Sequence, residues 1–168
     1  QVNELNKGNY LHDVIEVDNK PDFCIGVAGY PEKHIESPSL HSDLLRLKQK
    51  VDAGADYVVT QMFFDNQRYI EFVTKAREMG ITVPIIPGIK PLAIEKHLQL
   101  LPQVFKIDLP QALIKEVNKC DSSAQIRQVG VEWAIQQSKE LLDFGVPVLH
   151  YYSMGKSDNI KAIASELF

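Results

Sequence analysis

The chain has 168 residues, 45% hydrophobic and 24% charged. That is the balance of one ordinary globular domain with a sizeable core, not of a disordered tail. Eighteen basic against 22 acidic residues leave a net charge of −4, so bulk charge draws the chain to neither nucleic acid nor an anionic membrane. Cys24 and Cys120 are too few for a disulfide framework and read as thiols in a reducing cytoplasm. No apolar run is long enough for a transmembrane helix, and the polar N-terminal stretch is no signal peptide.

In chain order, residues 4–15 predict a helix. Residues 23–29 (FCIGVAG) are a compact apolar run closed by Gly29-Tyr30-Pro31, the pattern of a buried strand. A helix over 42–53 comes next, with an apolar stripe of Leu44, Leu45, Leu47 and Val51, Ser39 or Ser42 as N-cap and Gly54 as its stop. Residues 57–64 predict the second strand; Asp65 or Asn66 caps a helix over 67–79. Residues 83–89 form a third strand, kept short or irregular by its two prolines. Helices over 93–101 and from Leu109-Pro110 to near Cys120 succeed it. A long helix then runs from Ser122 or Ser123 to about Phe144, with Trp133 inside it as a core or helix contact. Residues 146–152 predict the last strand and 157–167 the closing helix.

Strands alternating with helices argue for an α/β fold with a parallel sheet and right-handed crossovers. A closed (β/α)₈ barrel needs eight such units. This chain supplies four, so it is either an open sheet or half a barrel, and a start on a helix looks cut out of a longer repeat.

In parallel folds of this kind ligands bind at the carboxyl ends of the strands. Here those ends carry Tyr30-Pro31-Glu32-Lys33-His34, Thr60 through Asp65, Gly88-Ile89-Lys90-Pro91 and His150 through Lys156. All four strands end in hydrogen-bonding or aromatic groups, a binding face that leaves the ligand open. Gln61 is an amide after an apolar run; backbone or water satisfies it, or it pairs with an amide-rich heterocycle. Asp43, Arg46 and Lys50 share one helix face, either as a solvated charged row or as a grip on ribose hydroxyls and phosphates. The five histidines show no zinc spacing, so no metal site is expected, and no phosphate loop, dinucleotide fingerprint or nucleophile elbow is present.

Five segments, VAGYPEKH (27–34), DLLRLKQKVDAGA (43–55), TQMFFD (60–65), IPGIKP (86–91) and HYYSM (150–154), resemble methylenetetrahydrofolate reductase in order and spacing, over nearly the whole chain. The resemblance implies the second half, strands 5–8, of a TIM (β/α)₈ barrel, with residues 1–168 as a single partial domain. It implies a bacterial-type cytoplasmic flavoprotein, with no regulatory extension after Phe168, that uses FAD and NAD(P)H to reduce 5,10-methylenetetrahydrofolate to 5-methyltetrahydrofolate in one-carbon and methionine metabolism. The protein would then position and polarise while the flavin does the redox chemistry.

By that resemblance Tyr30, His34, Asp43, Arg46, Gln49 and Lys50 match FAD contacts, and Gln61, Tyr152 and Lys156 match contacts to the folate substrate. Arg46 stands where the family commonly has an amide, Gln49 where it has a basic residue, Lys156 where arginine is usual, and Leu101 in place of an aromatic. No catalytic residue is expected in this half, because the family's general acid lies on the first barrel strand. The chain alone is then an inactive fragment; the alternative is a non-catalytic flavin- or folate-binding module. A half barrel has unpaired edges and an uncovered inner face, so a homo-oligomer of swapped or self-paired halves is expected.

Overall fold

The computed structural model describes residues 1–9, 20–155 and 157–168. Its elements are α1 (Val2–Asn6), β1 (Gly26–Gly29), α2 (Leu40–Asp52), β2 (Tyr57–Met62), α3 (Asn66–Glu78), β3 (Ile85–Ile89), α4 (His97–Phe105), α5 (Gln111–Val117), α6 (Ser123–Asp143), β4 (His150–Tyr151) and α7 (Asp158–Leu167). The four strands form one parallel sheet in the order β1-β2-β3-β4. Each strand therefore lies beside its predecessor, the order that successive strand–helix units give in a barrel.

The alternation of each strand sorts its side chains. Val58, Ile85 and Ile89 point to the helices and join Leu44, Leu47, Phe72, Ala76 and Leu141 in the main core. The Tyr69 hydroxyl is buried there and donates to the Ile85 carbonyl at 2.5 Å. On the opposite sheet face Tyr57, Val59, Gln61 and Ile86 are only partly covered. A second core of Met62, Phe64, Leu92, Leu101, Leu113 and Ile126 packs α4, α5 and α6 over the strand ends. Gly130 lets α6 pass there: a Cβ would lie 1.8 Å from the Leu92 carbonyl oxygen.

Caps place the helices as their sequences suggest. The Ser39 hydroxyl accepts from the Ser42 amide, the Asp65 carboxylate from Gln67 and the Ser122 hydroxyl from Gln125. The strands are shorter than their apolar runs. β1 begins at Gly26 because the preceding backbone bonds elsewhere. The Asn6 side chain takes both the amide and the carbonyl of Phe23, and the Asp56 carboxylate takes the Ile25 amide. β4 is reduced to two residues; Pro147 lacks an amide hydrogen and Val148 is exposed. β2 stops at Met62, with a register irregularity between Val59 and Met62. The fourth helix is shifted to His97–Phe105, with Pro102 inside it. Of the helix expected over 4–15, Val2–Asn6 is described and residues 10–19 lie outside the described residues. Among the described residues no helix is long and apolar enough to cross a membrane.

Candidate functional site

Most of the candidate residues fall at two separate hollows near the strand ends. The first lies beyond β1, where the chain turns over the start of α2. Tyr30 and His34 meet edge-to-face with ring centroids 4.6 Å apart. The Asp43 carboxylate accepts a hydrogen bond from the His34 amide, which ties this loop to the first turn of α2. Between them Lys33 takes a left-handed conformation, φ 79°, and its ammonium donates to the Ser37 carbonyl at 2.6 Å and the His34 carbonyl at 3.2 Å. One and two turns further along α2, Arg46 and Lys50 stand on the Asp43 face. Lys50 donates to the Ala28 carbonyl at 3.3 Å. Tyr30, His34, Asp43, Arg46 and Lys50 line a common hollow of about 190 Å³. Gln49 is exposed and does not line it: one residue from Lys50 on a helix turns the side chain away by about 100°.

The second hollow lies beyond β3 and β4. It encloses about 420 Å³ between α4, the start of α7 and the strand ends, with Met62 and Leu101 as apolar wall and Tyr152 at its side. Tyr152 packs edge-to-face on His150, 4.7 Å between centroids, and donates its hydroxyl to the Thr60 carbonyl at 2.9 Å. Burial pushes the Tyr152 phenol above its ordinary range, with the nearby Tyr30 phenol adding to the shift, so it stays a neutral donor. Leu101 is 2% exposed and belongs to the second core. Gln61 lies on the partly covered sheet face between the two hollows and lines neither. Its side-chain oxygen accepts from the Met62 amide at 2.9 Å, leaving its NH₂ group as donor. Lys156 lies outside the described residues.

The family described as methylenetetrahydrofolate reductase matches residues 2–168. The chain belongs to that family. It is 37% identical over 147 residues to 5,10-methylenetetrahydrofolate reductase of Escherichia coli, covering 87% of this chain and 50% of that protein. It is 36% identical over 147 residues to methylenetetrahydrofolate reductase 1 of Schizosaccharomyces pombe, covering 87% of this chain and 24% of that one. The chain thus spans half the length of its bacterial relative and less of the fungal one. Among solved structures, an uncharacterized protein from Clostridium thermocellum that binds two copies of 5-methyl-5,6,7,8-tetrahydrofolic acid superposes with a TM-score of 0.61 at 23% identity. It covers 89% of this chain and 54% of that one, a likeness of fold.

Lys90, His97 and Glu32 of this methylenetetrahydrofolate reductase family chain were given no role in a site by the sequence. Lys90 and His97 line the second hollow. A lysine between Ile89 and Pro91, at the end of an apolar run, was the signal available for the first. Glu32, in the Tyr30–His34 loop, accepts from the Asp108 amide at 2.6 Å through one oxygen, while the other is buried without a partner. Burial pushes its carboxyl up to about 7. Trp133 of α6 donates its indole N–H to the Phe64 carbonyl at 3.1 Å, a contact between helix and strand end.

Proposed function

We propose that this chain is the second half, strands 5–8, of a TIM barrel that reduces 5,10-methylenetetrahydrofolate to 5-methyltetrahydrofolate with NAD(P)H and FAD. Residues 1–168 form a single partial domain on this reading. It serves one-carbon and methionine metabolism in the cytoplasm and does not turn over substrate by itself. The observation that carries the reading is the convergence of Tyr30, His34, Asp43, Arg46 and Lys50 on one hollow at the end of β1.

The donor set fits the adenosine and diphosphate part of FAD. Arg46 and Lys50 supply cations for phosphates, and Lys50 is already directed across the mouth by the Ala28 carbonyl. Asp43 has one carboxylate oxygen committed to the His34 amide and a second for a ribose hydroxyl. The Tyr30–His34 pair offers an aromatic edge to a flat heterocycle. Gln49 faces away from this group. A bound FAD would supply the hydride chemistry, and the residues of this chain bind and orient. On the folate side Gln61 offers its NH₂ group to the pterin or the nicotinamide, and Tyr152 and Lys156 flank the rest of the folate.

Titration of the chain with FAD, followed by flavin fluorescence anisotropy, tests the reading. Saturable binding is expected, weakened about tenfold or more by Lys50→Ala, since a charge-assisted contact to phosphate is lost. Binding that is indifferent to Lys50→Ala would remove the α2 row from the cofactor site.

A further inference from the structure

The loop that presents Tyr30 and His34 contains neither helix nor strand, so its shape depends on what holds it. Among the described residues, two hydrogen bonds join residues 31–36 to elements outside the loop. From the α2 side, the Asp43 carboxylate takes the His34 amide. From the other side, Glu32 takes the Asp108 amide at 2.6 Å, 76 residues away in the connection between α4 and α5. Glu32 stands two residues from both Tyr30 and His34. The remaining bonds are local: the Lys33 amide to the Tyr30 carbonyl, the Ser37 amide to the His34 carbonyl, and the Lys33 ammonium to the His34 and Ser37 carbonyls.

Asp108 is a firm post for this tie. Ile107 and Leu109 on either side of it are buried in the second core with Met62 and Leu101. The Arg68 guanidinium of α3 stands 3.6 Å from the Asp108 carboxylate. The Glu32 head is committed as well: one oxygen accepts from the amide and the other is buried without a partner. Such a position suits a neutral carboxyl far better than a charged one. Burial pushes the group up to about 7; the Asp108 and Asp65 carboxylates push the same way, while the Asp108 amide and Arg68 oppose them. Lys33, next in the loop, spends its ammonium on the two carbonyls. The buried position is therefore favoured at low pH and penalised as pH rises through about 7.

We propose that Glu32 is a positioning residue for the first hollow: it pins the Tyr30–His34 loop to the Asp108 backbone, and the affinity of the hollow for its ligand depends on that hold. The proposal rests on the flavin reading above and adds to it a residue that lines neither hollow and acts through the loop. It also makes that affinity fall as pH rises, through Glu32.

Two measurements test it on the unaltered chain, on Glu32→Gln, which keeps an acceptor, and on Glu32→Ala, which does not. Both are made well below the melting temperature of each protein. Hydrogen exchange of the His34 and Ser37 amides reads the loop without flavin. Glu32→Ala should speed it about fivefold at about pH 5.5, and the unaltered chain should exchange about fivefold faster than Glu32→Gln at about pH 8. Titration with FAD, followed by anisotropy, reads the hollow. The unaltered chain should match Glu32→Gln at about pH 5.5 and bind about fivefold more weakly than it at about pH 8. Exchange that is indifferent to Glu32, or an affinity ratio between the unaltered chain and Glu32→Gln that stays constant with pH, overturns the proposal. Neither comparison with Glu32→Gln needs a folded Glu32→Ala. Exchange that responds as expected while FAD binds to none of the three sinks the flavin reading and leaves the loop tie standing. Indifferent exchange with no FAD binding sinks both.

Discussion

Tyr152 reaches back across β3 to the Thr60 carbonyl on β2, its hydroxyl donating at 2.9 Å. The reach is open because Gly88 lies between them. A Cβ there would stand 2.3 Å from the Thr60 carbonyl oxygen and 2.7 Å from the Tyr152 ring. Thr60, fully buried, completes the knot: its hydroxyl accepts from the Gly88 amide at 2.9 Å, where the β2–β3 ladder slips register. One small cluster thus sets both the sheet irregularity and the position of a candidate ligand-facing tyrosine.

Gly88→Ala should destabilise the chain by about 1–3 kcal/mol or more, since backbone cannot yield as a flexible side chain does. Thr60→Val should cost about 1–3 kcal/mol by leaving the buried Gly88 amide unpaired. Chemical denaturation monitored by circular dichroism reads both. A neutral Gly88→Ala would show that the strands do not approach as described.

Asp43 serves the fold and the proposed cofactor site at once, and two substitutions separate the roles. Asp43→Asn keeps an oxygen acceptor for the His34 amide, whereas Asp43→Ala removes it. The alanine variant should lose about 1 kcal/mol or more of stability and bind FAD more weakly. The asparagine variant should recover most of the stability. Equal melting temperatures for the two variants would mean that the bond to His34 contributes nothing.

Glu32 makes stability depend on pH. Its carboxyl is raised by burial from 4.5 to about 7, so the folded state holds its proton more tightly than the unfolded chain does. Its contribution is fully present below pH 4.5 and is lost as pH rises through about 7. Glu32→Gln, which keeps an acceptor for the Asp108 amide, should melt higher than the unaltered chain at pH 8 and show little difference at pH 4.5. A pH-independent difference between the two would contradict a buried, proton-retaining carboxyl.

The sheet face carrying Tyr57, Val59 and Ile86 is only partly covered, and among the described residues β1 and β4 each have one neighbour. Free parallel edges beside uncovered apolar residues favour association. Sedimentation velocity over a range of concentrations is expected to show a dimer or larger species. A strictly monomeric, long-lived chain would refute the self-paired half barrel.

Much of the fold was legible in the residues themselves, for local reasons. Ser39, Asp65 and Ser122 can cap only the helices that start beside them in the chain, and their hydroxyl or carboxylate does so. The 3.6-residue period puts Asp43, Arg46 and Lys50 on one side of α2 whatever the rest of the chain does; the same period turns Gln49 away, against the cofactor contact the resemblance implied for it. Five segments in a family's order and spacing sufficed for the family, because such order is carried by the chain alone. The strand ends were another matter. The apolar runs 23–29 and 146–152 are hydrophobic throughout, yet only four and two of their residues join the ladder. A strand exists only where a partner backbone is in reach, and here Asn6, Asp56 and Pro147 divert or remove the bonding groups. The burial of Lys90 and the orphaned oxygen of Glu32 are likewise set by tertiary packing and not by their own elements. Periodicity specifies which side of its own element a residue occupies; only the tertiary packing decides whether that side meets water, a partner or a cavity.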